Sequence, residues 1–147
     1  MKHIQTKQIK KLPKLKTLKN KLDKTFNLYI RLRDKKCILS KKKDHLQCSH
    51  YYDYMQTPSL RWDERNAHAM TNKIHYKHHH GKAADYAHFM YEKYGMGKME
   101  QLYLDSKKPF MATREYYIEK IEYFQGLIDK LGKAGKYGKG QNIAKTI

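Results

Sequence analysis

The sequence predicts a mainly helical α+β domain with one short strand pair, and three features support that fold class. Apolar residues recur at three- and four-residue steps in several long segments, a spacing typical of amphipathic helices. A short segment that begins at Leu46 alternates apolar and polar side chains, as a half-buried strand does. The chain has 147 residues, which is the length of one domain or of one domain with tails.

The first predicted helix begins at Leu15 and ends near Arg33. Its apolar positions follow the helical period and are Leu15, Leu18, Leu22, Phe26, Tyr29 and Leu32. Lysines lie between these positions, on the sides expected to face solvent. The preceding residues, 1–14, are rich in lysine and end near Pro13, so we expect a flexible basic arm there.

A strand pair followed by a helix is predicted in the middle of the chain. Residues 46–52 form the first strand, residues 57–59 mark a turn, and residues 66–70 form the second strand. Thr71 or Asn72 can cap the helix that follows. The order strand, loop, strand, helix describes a compact hairpin-and-helix unit.

Further helices are predicted after this unit. One is outlined by apolar residues from Ala83 and is closed by Gly95, and a short helical piece follows before Pro109. Thr113 is a suitable N-cap for a last helix, which should stop at Gly132 and whose apolar stripe is Tyr117, Ile121, Phe124, Ile128 and Leu131. The folded domain therefore spans residues 15–131, and residues 132–147 are expected to form a flexible basic tail.

The formal net charge of +18 favours a polyanionic partner, and the first quarter of the chain carries most of the excess. No apolar run approaches the ~20 residues of a membrane span, and the N-terminus lacks the apolar block of a secretory signal. Two cysteines, Cys37 and Cys48, do not make a disulfide framework. We therefore expect a cytoplasmic protein with free thiols and no membrane partner.

Histidines are concentrated in the middle of the chain, and three of them could form a catalytic centre. His75 and His79 stand four residues apart, so on a helix they point the same way and can bind one metal ion. His50, on the neighbouring strand, could deprotonate a water molecule for attack on a phosphodiester. The Asn66 amide could bind backbone groups of the intervening loop and so hold His50 in place.

These segments resemble the phage NinG (Rap) recombination-endonuclease family, itself similar to HNH (ββα-metal) nucleases. The resemblance covers roughly residues 22–131, and its segments are LYIRLRDKKC (28–37), CSHYY (48–52), LRWDERNAHAM (60–70), IHYKHHHG (74–81) and YEKYG (91–95). It implies a small HNH-like core flanked by amphipathic helices. It also implies that His50 is the general base, Asn66 the middle Asn and His75 the third motif position. His75 and His79 would then bind Mg²⁺ or another divalent ion.

The first departure from this resemblance concerns structural zinc. These families commonly carry two Cys-x-x-Cys pairs that bind it, but the matching pairs here read Cys37-Ile-Leu-Ser40 and Thr71-Asn-Lys-Ile74. Since three of the four thiolates are missing, a four-thiolate zinc site cannot form, and we expect no structural zinc. The alternative is a makeshift site from Cys37, His45 and Cys48. Met70, Ile74 and the tyrosines are expected to supply a replacement core that holds the hairpin to the helix.

The second departure is Ser49, which precedes the general base where many HNH proteins place an Asp or His ligand. A serine hydroxyl is a poor ligand, so metal binding would depend on His75, His79, water and the substrate phosphate. Asp63 or His68 could add a ligand. We therefore expect weak metal binding in the absence of DNA.

Together these residues indicate a metal-dependent DNA endonuclease that acts on branched, nicked or duplex DNA in phage recombination. The basic residues expected to lie along the DNA backbone are Lys16, Lys19, Lys21, Lys24, Arg31, Arg33, Lys41, Lys42, Lys43, Arg61 and Arg65. One alternative is a non-catalytic DNA-binding module on a decayed HNH fold. Another is a basic RNA-associated protein in which the histidine cluster is incidental.

Overall fold

A computed structural model describes residues 11–79 and 83–134, and it confirms a mainly helical α+β fold. Its helices are α1 (Leu15–Asp34), α2 (Asn72–His79), α3 (Ala83–Ser106) and α4 (Arg114–Ala134), and its strands are β1 (Leu46–His50) and β2 (Ala67–Thr71). The side chains of residues 77–79 and 134 are outside this description. So are residues 1–10 and 135–147, which make up most of the predicted arm and tail.

Helices α1 and α4 pack against each other and form the first apolar core. Phe26 of α1 contacts Phe124 of α4 edge-on, with ring centroids 5.0 Å apart. The other buried members of this core are Leu18, Leu22, Tyr29, Ile30, Trp62, Ala67, Tyr117, Ile121 and Ile128. Of the helical ones, all but Ile30 belong to the stripes predicted above. The predicted end of α4 at Gly132 is wrong, because the helix continues to Ala134. Glycine costs only about 1 kcal/mol inside a helix, and Leu131 beside it still packs against this core.

Strands β1 and β2 form an antiparallel hairpin in which Leu46 pairs with Thr71 and His50 pairs with Ala67. Every residue of β2 is buried. Its outer edge is covered because the Ala69 N–H donates to the Asp34 carboxylate (2.7 Å) and the Ala69 carbonyl accepts the Ile38 N–H (3.0 Å). A covered edge leaves no row of free backbone groups for another strand to pair with.

Helix α2 follows β2 without a loop, and the Thr71 hydroxyl accepts the N–H of Ile74 at 3.4 Å, as expected of an N-cap. Met70 is fully buried in a second apolar core, and Ile74 packs against it. The other buried members of this second core are Cys37, Ile38, Leu60, Tyr86, Met90, Met99 and Leu102. Met70, Ile74 and the tyrosines around them therefore pack together between the hairpin and the helices, as expected.

Helix α3 contains a kink at Gly95, whose φ of 77° and ψ of 167° are non-helical. The predicted break at Gly95 is therefore confirmed. The two predicted helical segments on either side of it form the two halves of one bent helix. Helix α4 begins as predicted, because the Thr113 hydroxyl accepts the N–H of Tyr116 at 3.1 Å. Across the described ranges, no helix is both long and apolar enough to cross a bilayer.

Candidate active site

A pocket of about 260 Å³ lies at the junction of α1, β1, the loop after β1, and α2. Thr71 ends β2 opposite Leu46, the first residue of β1, so α2 begins at that end of the hairpin, and His75 in its first turns lines the pocket. The pocket is lined by Asn27, Cys48, His50, Asp53, Tyr54, Met55 and His75. Two of the three residues predicted to be catalytic, His50 and His75, thus line the same cavity.

His50 ends β1, and its ring is held in one orientation. Its Nε2 lies 2.9 Å from the carbonyl oxygen of Arg61. A carbonyl can only accept, so Nε2 carries the hydrogen and the lone pair is on Nδ1. Phe26 stacks near one face at 6.0 Å between centroids, and Tyr54 contacts the ring edge-on at 4.7 Å.

Burial lowers the pKa of His50 below its ordinary value, and the positive charge of Arg61 acts in the same direction. The hydrogen bond to the Arg61 carbonyl and the charge of Asp23 oppose this shift without reversing it. The ring is therefore neutral at pH 7. A neutral imidazole with a fixed Nε2–H and a lone pair on Nδ1 has the form that a general base requires.

Asn66 is fully buried, and its amide is bonded to the loop that joins the two strands. Its Oδ1 accepts the N–H of Tyr52 at 2.8 Å, and its Nδ2 donates to the carbonyls of Tyr52 (3.0 Å) and Leu60 (3.2 Å). The Leu60 contact lies next to Arg61, whose carbonyl holds His50. Asn66 lines no part of the pocket, and it can act on the site only by holding this loop.

His75 lies in the first half of α2 and is partly buried. His79 lies in the last turn of the same helix, but its side chain is outside the described residues. Among the side chains that the structure describes, no three of His, Cys, Asp and Glu converge closely enough to hold a metal ion. His75 is therefore the one predicted metal ligand whose side chain the structure places at the pocket.

His68 and Asp63, which we considered as additional ligands, make other contacts. His68 is fully buried between the hydroxyls of Tyr86 (Nδ1, 3.0 Å) and Tyr94 (Nε2, 2.9 Å). Burial lowers its pKa to about 2, with a further lowering from the charge of Arg33. Asp63 is bonded to Arg65 through both of its oxygens. Neither residue lines the pocket.

Three of the four arginines predicted to contact DNA make contacts inside the fold. Arg33 bonds to Asp34 and to the carbonyls of Glu64 and Ala67. Arg61 is bonded to Asp23, and Arg65 is bonded to Asp63 and Asp105. A phosphate would have to compete with these carboxylates. The predicted lysines differ, because Lys16, Lys21, Lys24, Lys41, Lys42 and Lys43 are exposed and Lys19 is partly exposed.

Sequence reasoning missed two polar residues of the pocket, Asn27 and Asp53. Asn27 lies on α1. The spacing of apolar residues in that helix predicted its buried positions, but it did not indicate which polar residue lies at the pocket. Asp53 lies three residues after His50, the last residue of β1, and is the first carboxylate on that side. This closeness in sequence could have identified Asp53 as a residue of the site. Its Oδ1 accepts the N–H of Met55 at 2.9 Å.

Cys48 also lines the pocket, and burial raises the pKa of its thiol to about 12, while the charges of Arg33 and Arg31 act to lower it. A thiol with so high a pKa is neutral at pH 7. It is therefore a poor metal ligand and a poor nucleophile in this state. The polar chemistry of the pocket belongs to its two imidazoles, its carboxylate and its amide.

The family model of the bacteriophage lambda NinG protein matches residues 1–134 of this sequence. The chain belongs to the NinG family. The match includes all four helices, both strands and every residue that lines the pocket. No curated protein and no solved structure matched the chain. Membership of this family indicates a protein related to phage recombination.

Proposed function

We propose that this NinG-family protein is a metal-dependent endonuclease that hydrolyses phosphodiester bonds in DNA, with a role in phage recombination. One observation carries the proposal. His50 is neutral, is oriented by the Arg61 carbonyl, and lines the same pocket as His75. This arrangement suits a base and a metal-binding imidazole on either side of one phosphate, as the HNH resemblance implies.

In the proposed reaction, His50 removes a proton from water through Nδ1. The water oxygen then forms a bond to phosphorus, the bond from phosphorus to the leaving oxygen breaks, and the leaving oxygen takes up a proton from solvent. His50 returns its proton to solvent after the product leaves. Asn66 holds the loop that carries Arg61, and the Arg61 carbonyl stabilises the His50 imidazolium by accepting its Nε2–H.

A divalent ion bound at this site would stabilise the charge on the leaving oxygen and on the phosphate. His75 would hold it, together with His79 if that side chain also faces the pocket. Asp53 offers a carboxylate within the same cavity. Few protein donors are expected here, so water and substrate phosphate would complete the coordination, as they do in many Mg²⁺ sites. The donor set thus fits a weakly held ion, such as Mg²⁺ or Mn²⁺.

The proposed substrate is DNA because of the family and the charge of the chain. The formal net charge of +18 supplies affinity for phosphates without sequence readout. A recombination enzyme would meet branched or nicked DNA, so we propose these as the substrates. The exposed lysines of α1 and of residues 41–43 are the proposed backbone contacts.

The test is an incubation of the purified protein with branched, nicked and linear DNA in Mg²⁺, Mn²⁺ or a chelator. We expect metal-dependent cutting that His50→Ala reduces by about 10²–10⁴-fold while DNA binding persists. His88→Ala is the matched control, because His88 is 75% exposed and lies on α3 away from the pocket. Cutting by His50→Ala at the wild-type rate would refute the assigned base.

A non-catalytic nucleic-acid-binding protein is the second candidate. It is favoured by the lack of a three-donor metal group among the described side chains. Such a protein would bind DNA or RNA with a steep salt dependence and would cut neither in any metal. Comparison of its affinity for duplex DNA, junction DNA and structured RNA at one salt concentration separates the DNA and RNA forms of this alternative.

A further inference from the structure

Helix α1 presents a polar stripe along the side that its apolar core leaves free. With 3.6 residues per turn, positions 16, 20, 24, 27 and 31 fall within about 80° of one another around the helix. They are Lys16, Asn20, Lys24, Asn27 and Arg31. The first three are exposed and the last two are partly exposed. The buried residues of α1 lie on the opposite side, towards α4 and the hairpin.

This stripe leads into the pocket. Asn27 lines the pocket together with His50 and His75. Arg31 lies one turn further along the same side of α1, and long side chains on a helix lean towards its N-terminus, which for Arg31 is the direction of Asn27. The charge of Arg31 also acts on the thiol of Cys48, another residue that lines the pocket, and opposes the raised pKa there.

Arg31 and Asn27 also differ from the other polar groups near the pocket. Arg33, Arg61 and Arg65 are each bonded to a carboxylate, as described above. Within the described part of the chain, the side chains of Arg31 and Asn27 make no hydrogen bond or ion pair. The Asn27 amide at the pocket and the Arg31 guanidinium one turn along the same side of α1 are suitable donors for phosphate oxygens.

We propose that Lys24, Asn27 and Arg31 form a phosphate-binding face that seats the backbone of one nucleic-acid strand at the pocket. Arg31 binds the phosphate nearest the His50–His75 pair, Asn27 donates to the same phosphate group, and Lys24 binds a neighbouring phosphate. The proposal builds on the function proposed above, since it names the residues that deliver substrate to that pocket. It assigns to Asn27 a role that its helical position alone did not indicate.

The experiment measures binding to a fixed DNA junction in EDTA, so that no metal-dependent cutting occurs. For Arg31→Ala, we expect the slope of log K against log salt to fall in magnitude by about 1, the loss of one phosphate contact. Arg31→Lys should restore the slope because it keeps the charge. Lys130→Ala is the matched control, since Lys130 is exposed on the side of α4 that faces away from α1, and its slope should stay at the wild-type value.

A scan of neutral methylphosphonates along the junction then locates the contact. A methylphosphonate at one position should weaken DNA binding by the wild type but should not weaken binding by Arg31→Ala any further. Binding by Asn27→Ala should also be unaffected by the methylphosphonate at that position. The proposal is overturned if Arg31→Ala and Lys130→Ala change the slope equally, or if no such position exists. Because binding is measured without metal, a protein that never cuts DNA can still pass this test, and a protein that cuts can still fail it.

Discussion

The two carboxylate oxygens of Asp23 accept separate N–H groups of the Arg61 guanidinium, at 2.9 and 2.8 Å. The first oxygen also accepts the indole N–H of Trp62 at 2.9 Å. Arg61 is therefore held through its side chain by α1, while its carbonyl oxygen accepts the Nε2–H of His50. Asp23 makes no hydrogen bond with the imidazole in this chain of bonds. It acts on His50 through the position of Arg61, and its charge opposes the lowering of the His50 pKa.

Asp23→Ala should lower both the stability and the activity of the protein. Loss of the carboxylate leaves the Arg61 and Trp62 donors without their partner, which should cost about 1–3 kcal/mol in the free energy of unfolding. The cutting rate of the folded protein should also fall, because the Arg61 carbonyl is no longer fixed against His50. Urea unfolding and single-turnover cutting measure the two effects. Glu119→Ala, which removes an exposed carboxylate from α4, is the control. If cutting by folded Asp23→Ala matches that of the control, Asp23 does not position the base.

The pH dependence of cutting should reflect the burial of His50. The base must be neutral, and burial lowers its pKa below the ordinary value of about 6.5. At saturating metal ion, kcat/KM should therefore stay high as the pH falls to 6.5 and should decline only at lower pH. Initial rates from pH 5 to pH 8 measure this profile. An acid limb at or above pH 6.5 would contradict a buried imidazole as the base.

Local patterns in the sequence were enough to predict the helices and the hairpin, because each depends on neighbours within a few residues. The period of α1 and the caps at Thr71 and Thr113 are of this kind. The partners of the arginines could not be predicted in this way. Arg33 bonds to the carbonyl of Glu64, which is 31 positions away, and no local signal marks such a contact.

Some residues of the pocket could likewise be predicted from local sequence, and others depend on contacts between distant segments. His50 and His75 could be selected because their residue type and spacing are visible in the sequence. Asn27 could not be selected, because its place at the pocket depends on how α1 lies across β1. That crossing involves contacts between distant segments, such as Phe26 of α1 against His50 of β1. Residue type and spacing therefore identified the two imidazoles of the pocket, and packing was needed to identify Asn27.

His68 should make the protein less stable in mild acid. Its folded-state pKa of about 2 lies far below the ordinary value of about 6.5. Between these values the imidazole is protonated in the unfolded chain and neutral in the folded protein. The free energy of unfolding therefore has its full value above pH 6.5. It falls by about 1.4 kcal/mol per pH unit as the pH decreases towards 2. Urea unfolding at pH 7.0, 6.0 and 5.0 measures the loss. His68→Gln, which does not titrate, should show a shallower decline.

The matched control for His68 is His88→Gln, because His88 is 75% exposed and lies near Glu92 on the surface of α3. Its unfolding free energy should decline with pH as steeply as that of the wild type. The comparison uses the slope of the unfolding free energy against pH. A loss of stability that is the same at every pH therefore does not affect the comparison. Equal slopes for His68→Gln and the wild type would show that the buried imidazole is not the titrating group.

The kink in α3 should tolerate no side chain with a Cβ at Gly95. Its φ of 77° and ψ of 167° lie in a region that is essentially restricted to glycine. A Cβ added there would meet nothing within 4 Å, so the penalty for Gly95→Ala comes from the backbone alone and should be about 1–3 kcal/mol. Gly97 is the matched control, since it lies two residues later in helical backbone with equally open space. Gly97→Ala should stabilise the protein by about 0.5–1 kcal/mol, because alanine loses less backbone entropy in a helix. Urea unfolding of the two variants measures both changes, and a stable Gly95→Ala protein would mean that α3 is straight in solution.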